Sequence, residues 1–285
     1  INITGTSAAI ATAVGNIDTF SGSPTATLTD AHTLAQLKAI NNATSGQLTL
    51  NDYSVAIIGS CADIKAALGG SFAQTYTGNI TLNDADATSI TATELAAIGA
   101  ATTGTVTVTN AVNIIGDHDQ LTAALVTAGT KVVVSDATVL INDADATSIT
   151  ATDITTLAGA TTGTVAVSNN INITGTSAAI ATAVGNVDTF SGTPTATLSD
   201  AHTLAQLKAI NNSINGTITL NDYSVALNGS SADVAAALAG SFASDYTGNV
   251  TITDADATSI TATDLSAIGG ATTGMITISN NINIT

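Results

Sequence analysis

The chain has 285 residues, of which 45% are hydrophobic and only 3% aromatic, and it carries 21 acidic residues against four lysines and no arginine. A net charge of -17 makes a phosphate-backbone partner a poor one, because four lysines offer almost nothing to displace the counterions of a nucleic acid or of an anionic membrane surface. No apolar run is long enough to span a bilayer, and a core made of Ala, Ile, Val and Leu suits thin stacked layers better than one large globule.

The chain opens with "INITGTSAAIATAVGN" at 1–16, which is identical at 171–186, and "AHTLAQLKAINN" at 31–42 recurs at 201–212. Residues 1–115 and 171–285 are therefore long-period copies, with linking coils at 116–170, and 1–285 reads as one continuous array. The sequence begins inside a repeat unit, so the expectation is an excerpt of a longer chain whose export signal and anchor lie elsewhere.

Strand-like openings follow at "ATLTD" from 26, "LTLND" from 48, "ITLND" from 80, "VTVTN" from 106, "VVVSD" from 132 and "VAVSN" from 165; "ATLSD" from 196 restarts the cycle. Each alternates apolar and polar residues and is rich in β-branched types, as a half-buried strand requires. Asn or Asp closes each one, in the place of an Asx-turn. Six coils of about 28 residues then fill the long period. A second apolar patch follows in "VAII" at 55–58, "SIT" at 89–91 and "VNII" at 112–115, placing another short strand on a different edge.

Helix starts come next. Thr91 with Glu94, Thr150 with Asp153, Thr261 with Asp264, Asp117 with Gln120 and Ser60 with Asp63 have capping-box spacing. Leu95 and Ile98, Leu265 and Ile268, and Leu121 and Leu125 give narrow apolar stripes, suited to helices lying against a sheet. Gly99, Gly159 and Gly269 mark helix ends, and Gly104, Gly163 and Gly274 mark the turn into the next strand. The expected fold is α/β, an elongated solenoid of short parallel-stacked strands and one short helix per coil, with right-handed crossovers.

Tracts at 15–25 and 69–79, matched at 185–195 and 239–249, interrupt the period as edge loops. They hold Phe20, Phe72, Tyr76, Phe190, Phe242 and Tyr246, which act either as plugs over the core or as exposed contacts for glycans or a neighbouring filament.

The phrase "NDADATSITAT" at 83–93 returns almost unchanged at 142–152 and 253–263. Its carboxylate pairs, Asp84 and Asp86, Asp143 and Asp145, and Asp254 and Asp256, lie two apart and would share one side of an extended chain. Calcium takes six to eight such oxygens, so Ca2+ is a candidate ligand, set against simple solvated turns. No EF-hand spacing supports it, and three copies along an array do not make the single asymmetric constellation that catalysis needs. His32, His202 and His118 have no metal-ligand spacing and read as surface or capping residues. Cys61, matched by Ser231, reads as a small buried side chain. The sequons at Asn42, Asn79, Asn215 and Asn249 matter only in a host that glycosylates.

Coils built on "DADATSITAT" and followed by "GTVTVTN" or "GTVAVSN" resemble the Thr-, Ala- and Asp-rich repeats of very long bacterial cell-surface or extracellular-matrix proteins of cyanobacterial type. The resemblance implies export, an extracellular or cell-surface location and a structural or adhesive role, with copies of itself, neighbouring surface-protein segments or glycans as partners. On this reading the chain is a non-catalytic structural segment of a filament, surface layer or stalk, or alternatively an adhesion module.

Overall fold

A computed structural model describes residues 1–285. The chain is mixed α/β, with ten short helices and short parallel strands in several sheets, none closed into a barrel. It divides into two compact units: residues 1–141 with 159–164, and residues 142–158 with 165–285. No helix is long and apolar enough to cross a membrane.

In the first unit the helices are α1 (Ser7–Gly15), α2 (Leu34–Ala43), α3 (Cys61–Leu68), α4 (Ala92–Ala100) and α5 (His118–Leu125), each packed on the next. In the second they are α6 (Ala151–Ala158), α7 (Ser177–Gly185), α8 (Leu204–Ser213), α9 (Ser231–Leu238) and α10 (Ala262–Ala271), stacked in the same way. Helices of two or three turns are marginal alone, so their caps and this stacking hold them. Thr91, Thr33, Thr203 and Asp117 form complete capping boxes with Glu94, Gln36, Gln206 and Gln120.

The strands begin at the positions the periodicity predicts, but their partners differ from a 28-residue stacking. Thr25–Leu28 pairs with Asn2–Gly5 on one side and Leu48–Thr49 on the other. Leu48 then faces Phe72, not the next opening at Ile80. Ile80–Leu82 pairs instead with Ile57–Gly59, the second patch of the preceding coil, and then with Val106–Val108. In the second unit Val165–Val167 pairs with Thr189–Phe190, while Thr195–Leu198 pairs with Asn172–Gly175 and Ile218–Thr219. Wherever the sequence steps by 31 to 33 residues, the ladder changes partner, and the paired residues stay 22 to 26 apart. Stacked parallel strands need nearly equal contour length per turn, and this switch keeps it so.

Alternate strand residues point inward, as with Ala26 and Leu28 or Ile80 and Leu82, while the intervening threonines face out. The core is almost wholly Ile, Leu, Val and Ala from strands and helices, including Ile40, Leu95, Ile114, Ile154 and Ile210.

Gly269 lies within α10 instead of ending it, and Gly99 departs from its expected role in the same way. Gly99 does not end a helix; it lies within α4, where an added Cβ would come within 2.0 Å of the Thr130 carbonyl oxygen. Gly104 sits in its turn against Gly78 of the coil before, with only 2.5 Å between a hypothetical Cβ and the Gly78 oxygen. Close backbone approach between coils requires both.

Candidate functional site

The aspartate phrase folds into a turn that ties three successive coils. The strand Ile80–Leu82 ends before Asp84, and the chain bends through Ala87, which adopts φ 60°; Ala146 and Ala257 do the same at 65° and 64°. The bend sends the two carboxylates apart, so they do not share one side as extended spacing predicts. Asp84 Oδ2 reaches back to accept the N–H of Cys61 at 2.8 Å, the first residue of α3. Asp254 Oδ2 accepts the N–H of Ser231 at 2.7 Å, and its other oxygen accepts the Ser231 hydroxyl at 3.1 Å. Asp30 and Asp200 do likewise for Ser7 and Ser177, each at 2.6 Å.

The second carboxylate of each pair reaches forward. Asp86 accepts the N–H of Ala111 at 3.1 Å, Asp145 that of Asn170 at 2.9 Å and Asp256 that of Asn281 at 2.9 Å. The residue in the left-handed conformation completes the clasp: Ala87 N–H donates to Ala111 O at 2.8 Å, Ala146 to Asn170 O at 2.8 Å and Ala257 to Asn281 O at 2.7 Å. The amides of Asn110, Asn169 and Asn280 donate to the carbonyls of Asp84, Asp143 and Asp254 at 2.6, 2.6 and 2.7 Å. Asp143 itself is buried.

The starts of α1, α3, α7 and α9 thus receive two caps with different origins. Ser60 Oγ takes the N–H of Asp63 locally, and Asp84 takes the N–H of Cys61 from the next coil. A helix N-terminus leaves four N–H groups unpaired and carries partial positive charge, so a carboxylate placed there is favoured twice over. The six aspartates proposed for calcium do not converge, and no group of three or more His, Cys, Asp or Glu side chains comes together that could hold a metal ion. Asp52 and Asp222, by contrast, form the expected local Asx-turns, accepting the N–H of Ser54 and Ser224 at 2.8 Å. The Ser54 and Ser224 hydroxyls donate to the same carboxylates at 2.7 Å, and these bonds first, then those from the N–H groups, hold both carboxyls below their ordinary range.

The loop aromatics divide. Tyr76 and Tyr246 are buried rather than available as surface contacts, whereas Phe20, Phe72, Phe190 and Phe242 are half-buried. Phe72 and Phe242 extend the strand ladders by single bridges to Leu48 and Ile218. The tilted pairs Phe72–Tyr76 and Phe242–Tyr246, with centroids 6.3 and 6.1 Å apart, make the loops plugs over the core.

His32 and His202 each precede a helix cap, Thr33 or Thr203, as the capping reading has it, but they are buried, which corrects the surface reading. The Tyr76 hydroxyl donates to Val55 O at 2.6 Å, so His32 Nε2, 3.2 Å from that oxygen, must be the donor to it. His202, Tyr246 and Val225 repeat the chain at 3.0 and 2.6 Å. With Nε2 protonated, the buried Nδ1 carries a lone pair and no partner. Burial pulls both histidines below their usual value, against the raising influence of Asp52 and Asp30 on His32 and of Asp222 and Asp200 on His202. Burial likewise pushes the Tyr76 hydroxyl up to about 12. The Cys61 thiol, buried as expected, is also pushed up to about 12, mainly by burial and then by Glu94 and Asp84, which disfavours the thiolate.

Three of the four lysines bridge adjacent helices: Lys38 to Asp63, Lys208 to Asp233 at 2.5 Å and Lys65 to Glu94 at 3.0 Å. A groove of about 750 Å3 runs along α8 past Leu204, Lys208, Asn228 and Asp233. Its only charges are that lysine–aspartate pair, already joined.

Comparison with known proteins yields no matching family model, no matching curated protein and no matching solved structure.

Proposed function

We propose that the chain is a non-catalytic structural segment of an extracellular filament, surface layer or stalk, built as an elongated solenoid whose coils contain 22 to 26 residues. The observation that carries this reading is the division of labour within each repeated aspartate phrase. One carboxylate caps the helix of the coil before, and its neighbour takes an N–H of the coil after. Side chains that the sequence offers for ligand chemistry are thus spent on holding coil to coil, in both directions at Asp84 with Asp86 and at Asp254 with Asp256, and in the forward direction at Asp145. An array in which each layer contacts only its neighbours provides length, and its stability grows by adding layers.

The acidic surface fits an exposed setting in saline water, where carboxylates favour solubility and salt screens their mutual repulsion. The inward turn of Tyr76 and Tyr246 leaves the adhesive alternative without two of its proposed contacts. Antibody labelling of intact source cells tests the proposal. Labelling without permeabilisation is the expected result, and labelling confined to permeabilised cells would contradict it.

A further inference from the structure

Both copies of the long period bury the same chain of polar groups, and one atom in each chain is left without a partner. In the first unit His32 is 4% exposed and Tyr76 1%; in the second His202 is 3% and Tyr246 1%. The tyrosine hydroxyl donates to Val55 O or Val225 O at 2.6 Å, and histidine Nε2 donates to the hydroxyl oxygen at 3.2 or 3.0 Å. Nδ1 is then a buried lone pair, which a neutral ring tolerates. A proton placed there makes an N–H donor with no acceptor on a ring that has become charged, and an unpaired buried charge is strongly destabilising.

The charges around each ring do not supply that acceptor. Asp30, just before α2, Asp52, in the turn after Leu48–Thr49, and Tyr76, in the tract after α3, face His32; Asp200, Asp222 and Tyr246 take the same places around His202. Asp30 and Asp200 already hold the N–H groups of Ser7 and Ser177, and Asp52 and Asp222 hold the N–H and hydroxyl groups of Ser54 and Ser224. The tyrosine hydroxyl has given its hydrogen to the valine carbonyl. Relief has to come from movement, and the segment free to move is the one that carries the tyrosine.

Residues 69–79 contain no helix and join the sheets only by single bridges at Phe72 and Tyr76. They are held by the Leu48 N–H on Ser71 O and the Ala73 N–H on Leu48 O, both at 2.8 Å, by the Thr77 and Gly78 N–H groups on Tyr53 O at 2.8 and 3.1 Å, and by the Thr103 N–H on Tyr76 O at 3.0 Å. The tract 239–249 repeats each of these bonds through Ile218, Tyr223 and Thr273. Segments held by so few bonds open locally while the core stays closed.

We propose that the two tracts are acid-released plugs: protonation of the buried imidazole expels the Tyr76 or Tyr246 side chain and lifts its tract from the strand edge at Leu48 or Ile218, while the rest of the unit stays folded. In an open tract the ring meets water and has its ordinary value near 6.5. In the closed tract burial holds it lower. The open form therefore takes up the proton first, and falling pH draws each plug open by up to about tenfold per pH unit below about 6.5. Opening bares Phe72 with Tyr76, or Phe242 with Tyr246, and frees the backbone groups of Leu48 or Ile218.

Amide hydrogen exchange of the full chain between pH 7.5 and 5, corrected for the intrinsic rate at each pH, tests this. Protection of Ala73, Thr77, Gly78 and Thr103, and of Ala243, Thr247, Gly248 and Thr273, should fall by up to about tenfold per pH unit below about 6.5. Leu121 and Ile180, whose N–H groups bond within α5 and α7, should keep theirs. His32→Gln retains an N–H donor for the Tyr76 oxygen and does not titrate, so tract 69–79 should stay shut in acid while tract 239–249 of the same molecule still opens. Should His32→Gln be open already at neutral pH, nitrogen NMR of the imidazoles in the unsubstituted chain decides: protonation at the midpoint of tract opening supports the plugs, and protonation with the tracts still protected overturns them. Protection unchanged down to pH 5, an acid response of 69–79 that persists in His32→Gln, or loss of protection at Leu121 and Ile180 in step with the tracts would also overturn the proposal.

Discussion

The Asp84 carboxylate accepts the backbone N–H of Cys61, 23 residues earlier, at 2.8 Å, and so caps a helix that belongs to the preceding coil. Asp86, two residues on, holds the Ala111 N–H of the following coil. Asp84→Ala should destabilise the fold by about 1–2 kcal/mol, the worth of a helix cap with a charge-assisted bond. Asp84→Asn keeps an acceptor oxygen and should cost less. Asp86→Ala should cost about 1 kcal/mol, because the Ala111 N–H is partly exposed and water replaces the carboxylate. Urea unfolding of the three variants checks the order.

The Tyr76 hydroxyl joins His32, Val55 and its own coil in one buried chain of hydrogen bonds. Tyr76→Phe removes the hydroxyl and leaves the Val55 carbonyl and the His32 N–H without partners. The expected loss is about 1–3 kcal/mol, larger than the substitution's small change in volume would suggest. Tyr246→Phe should behave alike, since it repeats the contacts with His202 and Val225. A variant as stable as the parent would show that water reaches this chain.

Stability should fall with acid in two stages. His32 and His202 have folded values pulled below the ordinary 6.5, so the unfolded chain binds their protons first. Their contribution is complete above about pH 6.5 and declines as pH drops below it. Asp52, Asp63, Glu94, Asp222 and Asp233 are held below their usual carboxylate values by hydrogen bonds, from Lys38 to Asp63 and from Lys65 to Glu94 above all. Their contribution is present above about pH 4 and is lost below it. The double variant His32→Phe/His202→Phe should flatten the first stage only. Melting temperature measured from pH 8 to 3 follows both.

Calcium should leave the fold unchanged. The Asp84, Asp86, Asp254 and Asp256 oxygens accept N–H groups of two different coils and point apart. Melting temperatures in excess chelator and in millimolar calcium should agree once ionic strength is matched. A calcium-dependent rise lost in Asp84→Ala/Asp86→Ala would restore these pairs as ligands.

Strand positions were legible because period-two alternation in "ITLND" or "VTVTN" reflects a half-buried face directly. The boxes at Thr91 and Asp117 were legible for a similar reason, being local spacings that the helix end requires. The box at Thr33 and Gln36 carries the same signal and could have been read. Helix α1 offered less, since Thr6 has an alanine at Ala9 where a box would place Glu or Gln. What sequence could not supply was pairing across coils. Spacing between similar openings suggested 28 residues, but the ladder answers to contour length and changes partner at Phe72 and Ile57. The burial of His32 was hidden for the same reason, because its partner Tyr76 lies 44 residues away. The aspartate pairs were found by their recurrence, yet their divergence depends on the bend at Ala87, a residue with no turn signature.

The proposed solenoid is tested most directly by adding one more 170-residue period, in frame, and measuring both chains by small-angle scattering. About seven further coils at the 4.8 Å spacing of paired strands should lengthen the particle by about 34 Å at constant cross-section. A compact globule of the same chain would gain only about 10 Å in diameter, and that smaller, isotropic increase would contradict the account.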